Sequence, residues 1–567
     1  MVKRILSFLN WEFSNINQAA ILLGFFALMS QILGLFRDRA LAHMLGASAP
    51  LDIYYAAFRI PDFLYVTVAS LAAVTALLPF LNKKIAENKH LQELELFASA
   101  KVFFSSVFTS YLAIMVIISV ILFIVMPWLA PLVVPGFSQE QIIELVKLSR
   151  IMLLSPIFMG LSNLFSSVTQ MFQRFLVYAL SPVLYNVGIL FGVLVLYPKF
   201  GLTGIAYGVV GGALLHGLIQ IPVLIQHNFL PRITFRIIWK DIKDLVQLSL
   251  PRTLGLATTN ISMLILVAFA SLIGAGAISV FQFSYNLQNV PLILIGLSYS
   301  VAAFPTLSRL YAENNIEQYI AEIERAAKQI IFWSIPAVFL FIVLRAQIVR
   351  VILGSGMFSW SDTRLTAAAV AIFSLSVVAQ CLILLMIRGY YAAGKTWRPL
   401  VINIATTAVT IAFGYIFLQI FNHYHQVQYF IESLLRVEYL NNTAILMLPL
   451  AFSLGLIINF IWLWQAFKKD FRPLHARSLN RAFFQSFAAS FMMGTASYQC
   501  LIFFGNMFNL NTFWGVFLQG FISGIIGIFV LVGVLYLMKN EQLQELARTF
   551  RSKFWKAPVI QEGQGDL

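Results

Sequence analysis

Apolar segments of about 20 residues recur from one end of the chain to the other, and short polar links separate them. A segment of this length can cross the hydrocarbon core of a bilayer as an α-helix. The pattern predicts an all-α polytopic membrane protein with about 14 transmembrane helices. The predicted helices cover 18–45, 52–82, 98–127, 145–173, 177–197, 203–226, 246–273, 278–306, 323–349, 364–393, 397–421, 442–467, 481–505 and 511–538.

Composition agrees with a membrane protein. Of the 567 residues, 60% are hydrophobic and 11% are charged, whereas a soluble protein usually carries about a quarter charged residues. The net charge of +15 does not predict nucleic-acid binding, because the basic residues cluster in the short links, where they set topology. Cys381 and Cys500 both lie in apolar segments, so neither a disulfide framework nor a metal site is expected.

The basic residues alternate between the two sets of links. Every second link carries lysine or arginine, whereas opposite links such as 127–141 and 506–511 have neither. The bias of positive charge towards the cytoplasm therefore predicts that both termini are cytoplasmic. Residues 1–17 are predicted to form an amphipathic interfacial segment, and residues 539–567 a cytoplasmic tail.

Two stretches of the sequence repeat one another. The segment at 76–88 resembles that at 302–314, and the turn at 45–50 resembles that at 273–278. The copies are six predicted helices apart, and an even number of helices makes the two repeats parallel. We therefore expect two pseudo-symmetric six-helix lobes followed by two C-terminal helices. The predicted divisions are 1–17, 18–230 (N-lobe), 231–467 (C-lobe, with an external loop near 422–441), 468–538 (the last two helices with their link) and 539–567.

Charged residues interrupt the first two predicted helices on either side of the turn that joins them. Ionised side chains inside a bilayer are costly unless they face water or a partner. In an antiparallel hairpin the two sets of charges lie at similar depth, so the pattern predicts a polar cavity in the outer half of the membrane. The charged residues are Arg37, Asp38 and Arg39 in the first helix, and Asp52, Arg59 and Asp62 in the second.

Two roles are open for these charges. A guanidinium offers paired donors to phosphate oxygens, so Arg37 and Arg59 are candidates for binding an anionic head group. The alternative is an internal salt bridge, either Arg37 to Asp52 or Arg59 to Asp38, because buried charges are normally paired. Both roles hold if the pair opens during transport. Asp38, Arg39 and Asp52 are therefore candidate gate or ion-coupling residues.

The eighth predicted helix carries a neutral polar face. Gln282, Asn286 and Asn289 follow the spacing i, i+4, i+7 and share one side of the helix. Their amides are candidates for binding sugar hydroxyls, and the alternative is hydrogen bonding between helices. Asn286 and Asn289, together with Asp62, complete the candidate substrate-binding set.

Motifs of enzymes are not found. The sequence has neither a Gly-rich phosphate loop followed by Lys-Ser/Thr nor an HExxH motif. The chain is therefore predicted not to be an enzyme and to need no cofactor. Without an ATP site, transport would draw on an ion gradient or the membrane potential.

An ordered set of residues over about 18–420 resembles the MurJ/MviN family of bacterial lipid II flippases, in the multidrug/oligosaccharidyl-lipid/polysaccharide exporter superfamily. The resemblance implies a flippase that moves a lipid-linked peptidoglycan precursor of the lipid II type across the cytoplasmic membrane by alternating access. The implied partners are the bilayer, a polyprenyl-diphosphate-linked glycan and, as a further candidate, cell-wall synthesis enzymes. The set comprises Ser30, Leu33-Gly34, Arg37-Asp38, Asp52, Ala57-Phe58, Pro61, Pro79, Pro135-Gly136-Phe137, Arg174-Phe175, Ser181-Pro182, Asn186, Pro251, Pro291, Pro305, Gly389, Tyr391, Lys395-Thr396 and Pro399.

Several cavity positions depart from this family pattern. Family arginines are replaced by Gln31 and Tyr65, a glutamate by Ser70, and charged positions of the eighth helix by Tyr285-Asn286 and Asn289. Because arginine is the natural partner of a diphosphate, these departures leave open a flippase for another polyprenyl-linked glycan. A drug or cation antiporter is a weaker alternative. A non-transporting scaffold of cell-wall synthesis is the alternative from a different class.

Overall fold

The computed structural model describes residues 16–68, 74–87, 97–235, 237–471 and 476–554. Within these ranges every regular element is a helix. Eleven spans are long and apolar enough to cross a membrane, and one bent pair of helices, Trp360–Ser374 with Val377–Ala392, brings the number to twelve. The all-α polytopic fold is therefore confirmed.

The twelve spans coincide with the third to the fourteenth predicted helices. The first prediction, 18–45, matches the helix Ile16–Leu45, and the second, 52–82, is divided into three shorter helices. Neither is among the spans counted above, so the total of fourteen stays a prediction. The predicted interfacial segment up to residue 15 and the end of the tail from 555 lie outside the described residues.

The helices of the first half are α1 (Ile16–Leu45), α2 (Ala49–Ala57), α3 (Arg59–Val68), α4 (Val74–Glu87), α5 (Ala98–Val133), α6 (Gln139–Met152), α7 (Leu154–Met171), α8 (Phe175–Phe191), α9 (Tyr197–Phe200), α10 (Leu202–Leu218), α11 (Ile221–Gln226) and α12 (Trp239–Ser271). The second half contains α13 (Ala277–Pro291), α14 (Ser298–Ala312), α15 (Ile316–Val343), α16 (Arg345–Leu353), α17 (Trp360–Ser374), α18 (Val377–Ala392), α19 (Trp397–His423), α20 (His425–Leu435), α21 (Met447–Asp470), α22 (Ala476–Gly505), α23 (Phe513–Leu537) and α24 (Glu541–Phe554). Short π-helical turns at Gly192–Leu196 and Leu292–Leu297 and a 3₁₀ turn at Thr443–Leu446 complete the set.

The chain forms two compact units. The first comprises Met1–Leu287, Ile352–Ala369 and Thr396–Gly455, and the second comprises Gln288–Val351, Val370–Lys395 and Leu456–Leu567. The division into an N-lobe and a C-lobe at residue 230 stays a prediction.

In the first unit, small residues bring α8 and α10 together. A Cβ built on Gly188 would lie 2.3 Å from the Cα of Gly212, and one built on Gly192 would lie 2.7 Å from the Cα of Gly208. Such close backbone approach is typical of membrane helices that present small residues four apart. Because α8 also packs against α1, this contact places Asn186 of α8 beside the charged end of α1.

In the same unit, the link between α5 and α6 packs against the end of α12. The backbone N–H of Gly136 donates to Ser271 Oγ at the end of α12 (3.1 Å), and a Cβ at Gly136 would lie 2.1 Å from the Ser271 carbonyl oxygen. Only glycine fits this approach. Ser138 then caps α6 in a capping box with Gln141.

The second unit is built on α15, α22 and α23. Phe332, Ala489 and Leu535 form a buried cluster there. A Cβ at Gly527 of α23 would lie 2.0 Å from Ser497 Oγ of α22, so these two helices also pack through a small residue.

Candidate functional site

Asp52 joins the second helix to the start of α13. Its carboxylate is 1% exposed and accepts hydrogen bonds from the backbone N–H of Gly276 (2.6 Å), the N–H of Ser279 (2.7 Å) and the hydroxyl of Ser279 (2.5 Å). The first N–H groups of a helix have no partner within the helix, and an acidic side chain stabilises them. Asp52 therefore caps α13 from a distant part of the chain.

Three turns interlock around this cap. Gly276 has φ +87°, and a Cβ there would lie 2.5 Å from the carbonyl oxygen of Ala47. Gly46 has φ +65°, and a Cβ there would lie 2.7 Å from the carbonyl oxygen of Met357, whose own N–H donates to the His43 carbonyl (3.0 Å). We call residues 43–52, 274–279 and 355–358 the turn cluster. The two turns that repeat one another in sequence thus pack against each other.

Arg37 is held by two side chains. Its Nε and Nη2 donate to Oδ1 of Asp38 (3.0 and 2.9 Å), and its Nη1 donates to Oδ1 of Asn186 (3.4 Å). Asn186 in turn donates to Ser30 Oγ (3.1 Å). All three nitrogens of this guanidinium therefore have partners.

Asp38 connects Arg37 to the polar face of α13. Its Oδ2 accepts from Asn286 Nδ2 (2.9 Å), and Oδ1 of Asn286 accepts from Gln282 Nε2 (2.8 Å). Oε1 of Gln282 accepts from Nη2 of Arg59. The result is one continuous set of hydrogen bonds through α8, α1, α13 and α3, which we call the polar relay. Its members are Ser30, Asn186, Arg37, Asp38, Asn286, Gln282 and Arg59.

Arg59, at the other end of the relay, is less fully bound than Arg37. Its Nε is buried and has no hydrogen-bond partner within the described part of the chain. An unpaired buried donor costs roughly 1–3 kcal/mol. This nitrogen is therefore available to an acceptor that is supplied from outside the protein.

Asp62 lies one turn beyond Arg59 and lines a small cavity of about 190 Å³. Tyr65 lines the same cavity, and its hydroxyl accepts a hydrogen bond from Asn163 Nδ2 (3.0 Å). Unlike Asp38 and Asp52, Asp62 is exposed.

The remaining predicted site residues lie outside the relay. Arg39 donates through Nη1 to the carbonyl oxygen of Ile352 (3.2 Å). Asn289 belongs to the second unit, where its Oδ1 accepts from Gln288 Nε2 (3.1 Å); Gln288 itself accepts from Gln380 (3.1 Å). Ser70 lies outside the described residues.

The expected salt bridges are not those that form. Arg37 pairs with its neighbour Asp38 rather than with Asp52, and Arg59 donates to the neutral Gln282 rather than to Asp38. Adjacent residues on a helix point in different directions, but the long arginine side chain folds back to reach the next carboxylate. The sequence could not indicate the partners of Asp52, because two of its three hydrogen-bond donors are backbone N–H groups.

Among the side chains that the structure describes, no group of three or more His, Cys, Asp and Glu residues is placed to hold a metal ion.

Comparison with known proteins gives a consistent result. The family model described as "Lipid II flippase MurJ" matches residues 41–518. The lipid II flippase MurJ of Burkholderia cenocepacia is 26% identical over 417 residues, which cover 72% of this chain and 80% of that protein. A solved structure of "Lipid II flippase MurJ, inward closed conformation" superposes with a TM-score of 0.73 at 23% identity, covering 92% of this chain and all of the other. An inward-facing multidrug resistance MATE family transporter of the MOP superfamily superposes with a TM-score of 0.60 at 17% identity, covering 79% of this chain and 98% of the other.

Proposed function

We propose, from the premise that this chain belongs to the lipid II flippase MurJ family, that it translocates a lipid-linked peptidoglycan precursor of the lipid II type across the bacterial cytoplasmic membrane. The observation that carries the proposal is the family match, which extends over residues 41–518. It supports lipid II over another polyprenyl-linked glycan and over a non-transporting scaffold. The chain is a multi-pass membrane protein of a transporter family rather than of an enzyme family.

In the proposed mechanism the turn cluster is the outer gate, and its contacts are those of a closed gate. With both termini proposed to lie in the cytoplasm, the turns between α1 and α2 and before α13 would lie on the outer side. Opening requires Asp52 to release Gly276 and Ser279, and Asp38 to release Asn286. The contact of Arg39 with the Ile352 carbonyl is a further tie that opening would break.

Arg59 is the proposed first contact for the diphosphate of the head group. Its unpaired Nε is the donor that an incoming phosphate oxygen would satisfy, and charge-assisted bonds of this kind are about twice as strong as neutral ones. Arg37 is engaged in this state and becomes a phosphate donor when the relay opens. Asn286 supplies an amide for the sugar hydroxyls. Asn289 is proposed separately as a substrate-binding residue of the second unit.

Energy for transport would come from an ion gradient or the membrane potential. Asp38 and Asp52 are the proposed coupling carboxylates, because both must leave protein donors before the gate opens. A cation or a proton would compensate either charge at that moment. Cell-wall synthesis enzymes are proposed partners on the cytoplasmic side or the outer side of the membrane.

The test is complementation in a bacterium depleted of its own lipid II flippase, with membrane insertion of each variant checked. We expect the wild type to restore growth, Arg59→Ala to fail and Arg59→Lys to rescue in part. Arg232→Ala, an exposed link arginine, is the matched control and should behave as wild type. Arg37→Ala should also fail.

Two other outcomes are informative. A well-inserted wild type that does not restore growth would contradict lipid II as the cargo and favour another lipid-linked glycan or the scaffold. Rescue by Arg59→Ala and Arg37→Ala would leave lipid II transport standing and contradict the assignment of these arginines.

A further inference from the structure

The cavity beside α3 has a chemical character different from that of the relay. Its volume of about 190 Å³ is smaller than the roughly 300–1,000 Å³ of pockets that take a whole small molecule. Asp62 is its charged lining residue, and the aromatic rings of Phe58, Tyr65 and Tyr185 line the same space. The cavity therefore suits one end of a larger ligand.

Asp62 is the carboxylate of this hairpin that protein donors leave open. Asp38 accepts from Arg37 and Asn286, and Asp52 accepts three hydrogen bonds. For the Asp62 carboxylate the described residues supply neither a hydrogen bond nor an ion pair. Arg59 attracts it electrostatically, but the Arg59 Nη2 is directed to Gln282. A carboxylate that lines a cavity without a bonded protein donor is available to a ligand of opposite charge.

The aromatic rings indicate which ligand. Faces of Phe and Tyr attract cations, and a cage of aromatic rings is the typical recognition site of an organic ammonium group. One of the rings is fixed by its hydroxyl, since Tyr65 accepts a hydrogen bond from Asn163 (3.0 Å). A hard metal cation, by contrast, prefers several oxygen ligands, commonly more than one carboxylate, and Asp62 is the carboxylate that the lining offers.

We propose that the Asp62 pocket binds an organic ammonium group, carried by the head group of the transported lipid. The identity of that carrier rests on the proposed function, whereas the binding of an ammonium group by the pocket does not. Arg59 lies one turn away and is proposed to bind phosphate. The two charged residues of α3 would then bind an anionic and a cationic part of the same head group.

The test uses the purified full chain in detergent and a hydrophobic carbodiimide that modifies accessible carboxyl groups, with modification of the peptide containing Asp62 measured by mass spectrometry. The probes are n-butylammonium, sodium and potassium chlorides at equal ionic strength. We expect n-butylammonium to lower modification of Asp62 by at least about threefold, the effect of a competitor at twice its Kd, and the two alkali salts to have no effect.

Variants keep the outcome interpretable. Asp62→Asn should remove the modified site, and Asp62→Glu should retain both modification and protection. Asp244→Asn, at an exposed position of α12, is the matched control and should match the wild type. Protection by sodium or potassium but not by n-butylammonium would replace the ammonium site by an alkali-ion site. Absence of protection by every salt would overturn the proposal.

The two proposals fail separately. If wild type does not complement the flippase-depleted strain but n-butylammonium still protects Asp62, the cargo is wrong and the pocket stands. If wild type complements and no salt protects, lipid II transport stands and the pocket assignment is wrong.

Discussion

Asp52 and Asp62 lie in the same short stretch of sequence, on consecutive helices, and have opposite surroundings. Asp52 is buried in the turn cluster and bound by three protein donors, whereas Asp62 is exposed to a cavity and bound by none that the structure describes. The difference separates a carboxylate that holds two elements together from one that is free to meet a ligand. Both residues are aspartates, so their different neighbours decide the role.

The same contrast holds for the two arginines of the relay. All three guanidinium nitrogens of Arg37 donate hydrogen bonds to Asp38 or Asn186, whereas the Nε of Arg59 has no partner among the described residues. In the proposed mechanism, the turn cluster and Arg37 make contacts that break during transport. Arg59 and Asp62 represent groups that can bind without breaking anything.

The largest effect is expected from Asp52→Ala. The change leaves two backbone N–H groups and the Ser279 hydroxyl without an acceptor in a buried place, at a cost of roughly 1–3 kcal/mol for each. We expect a fall of several degrees in the unfolding midpoint of the purified protein. Ser279→Ala removes one of the three bonds and should lower the midpoint less. Equal stability of Asp52→Ala and wild type would show that Asp52 does not hold the turn cluster together.

How much of this arrangement the sequence predicts depends on which atoms make the contacts. Helical periodicity and segment length predicted fourteen spans, of which the structure confirms up to twelve, and the repeat pointed to the turns that meet. The i, i+4 spacing also anticipated that Gln282 and Asn286 lie side by side. The partners of Asp52 could not be predicted, because backbone N–H groups leave no mark in a sequence.

The partners of Arg37 and Arg59 could not be predicted from the sequence for another reason. Several charges close together allow more than one pairing of similar energy, and the choice depends on neutral side chains such as Gln282 and Asn186 that compete for the same donors. Ion pairs in a polar cavity gain little over hydrogen bonds to amides once desolvation is counted. Charge alone therefore did not fix the partner of Arg59.

A smaller effect is expected from Asn286→Leu, which breaks the relay at its centre. Asp38 loses its amide donor and Gln282 loses its acceptor, and each lost hydrogen bond costs about 0.5–1.5 kcal/mol. We expect complementation several-fold weaker than wild type, with a fall in the unfolding midpoint smaller than that of Asp52→Ala because the turn cluster is intact. Asn286→Gln, which keeps the amide, is the control. A loss of stability as large as that of Asp52→Ala would place Asn286 with the structural contacts instead.

The smallest effect is expected from Asn186→Ala, at the edge of the relay. The hydrogen bond between Asn186 and Arg37 is long, at 3.4 Å. Arg37 keeps both of its bonds to Asp38 when Asn186 is replaced. Because a hydrogen bond of this length is weak, complementation should stay within about twofold of wild type. If Asn186→Ala instead fails as completely as Arg37→Ala, the orientation of Arg37 depends on Asn186 rather than on Asp38. Arg37 would then be held from α8, and the neighbouring carboxylate would be free, like Asp62, to take part in binding.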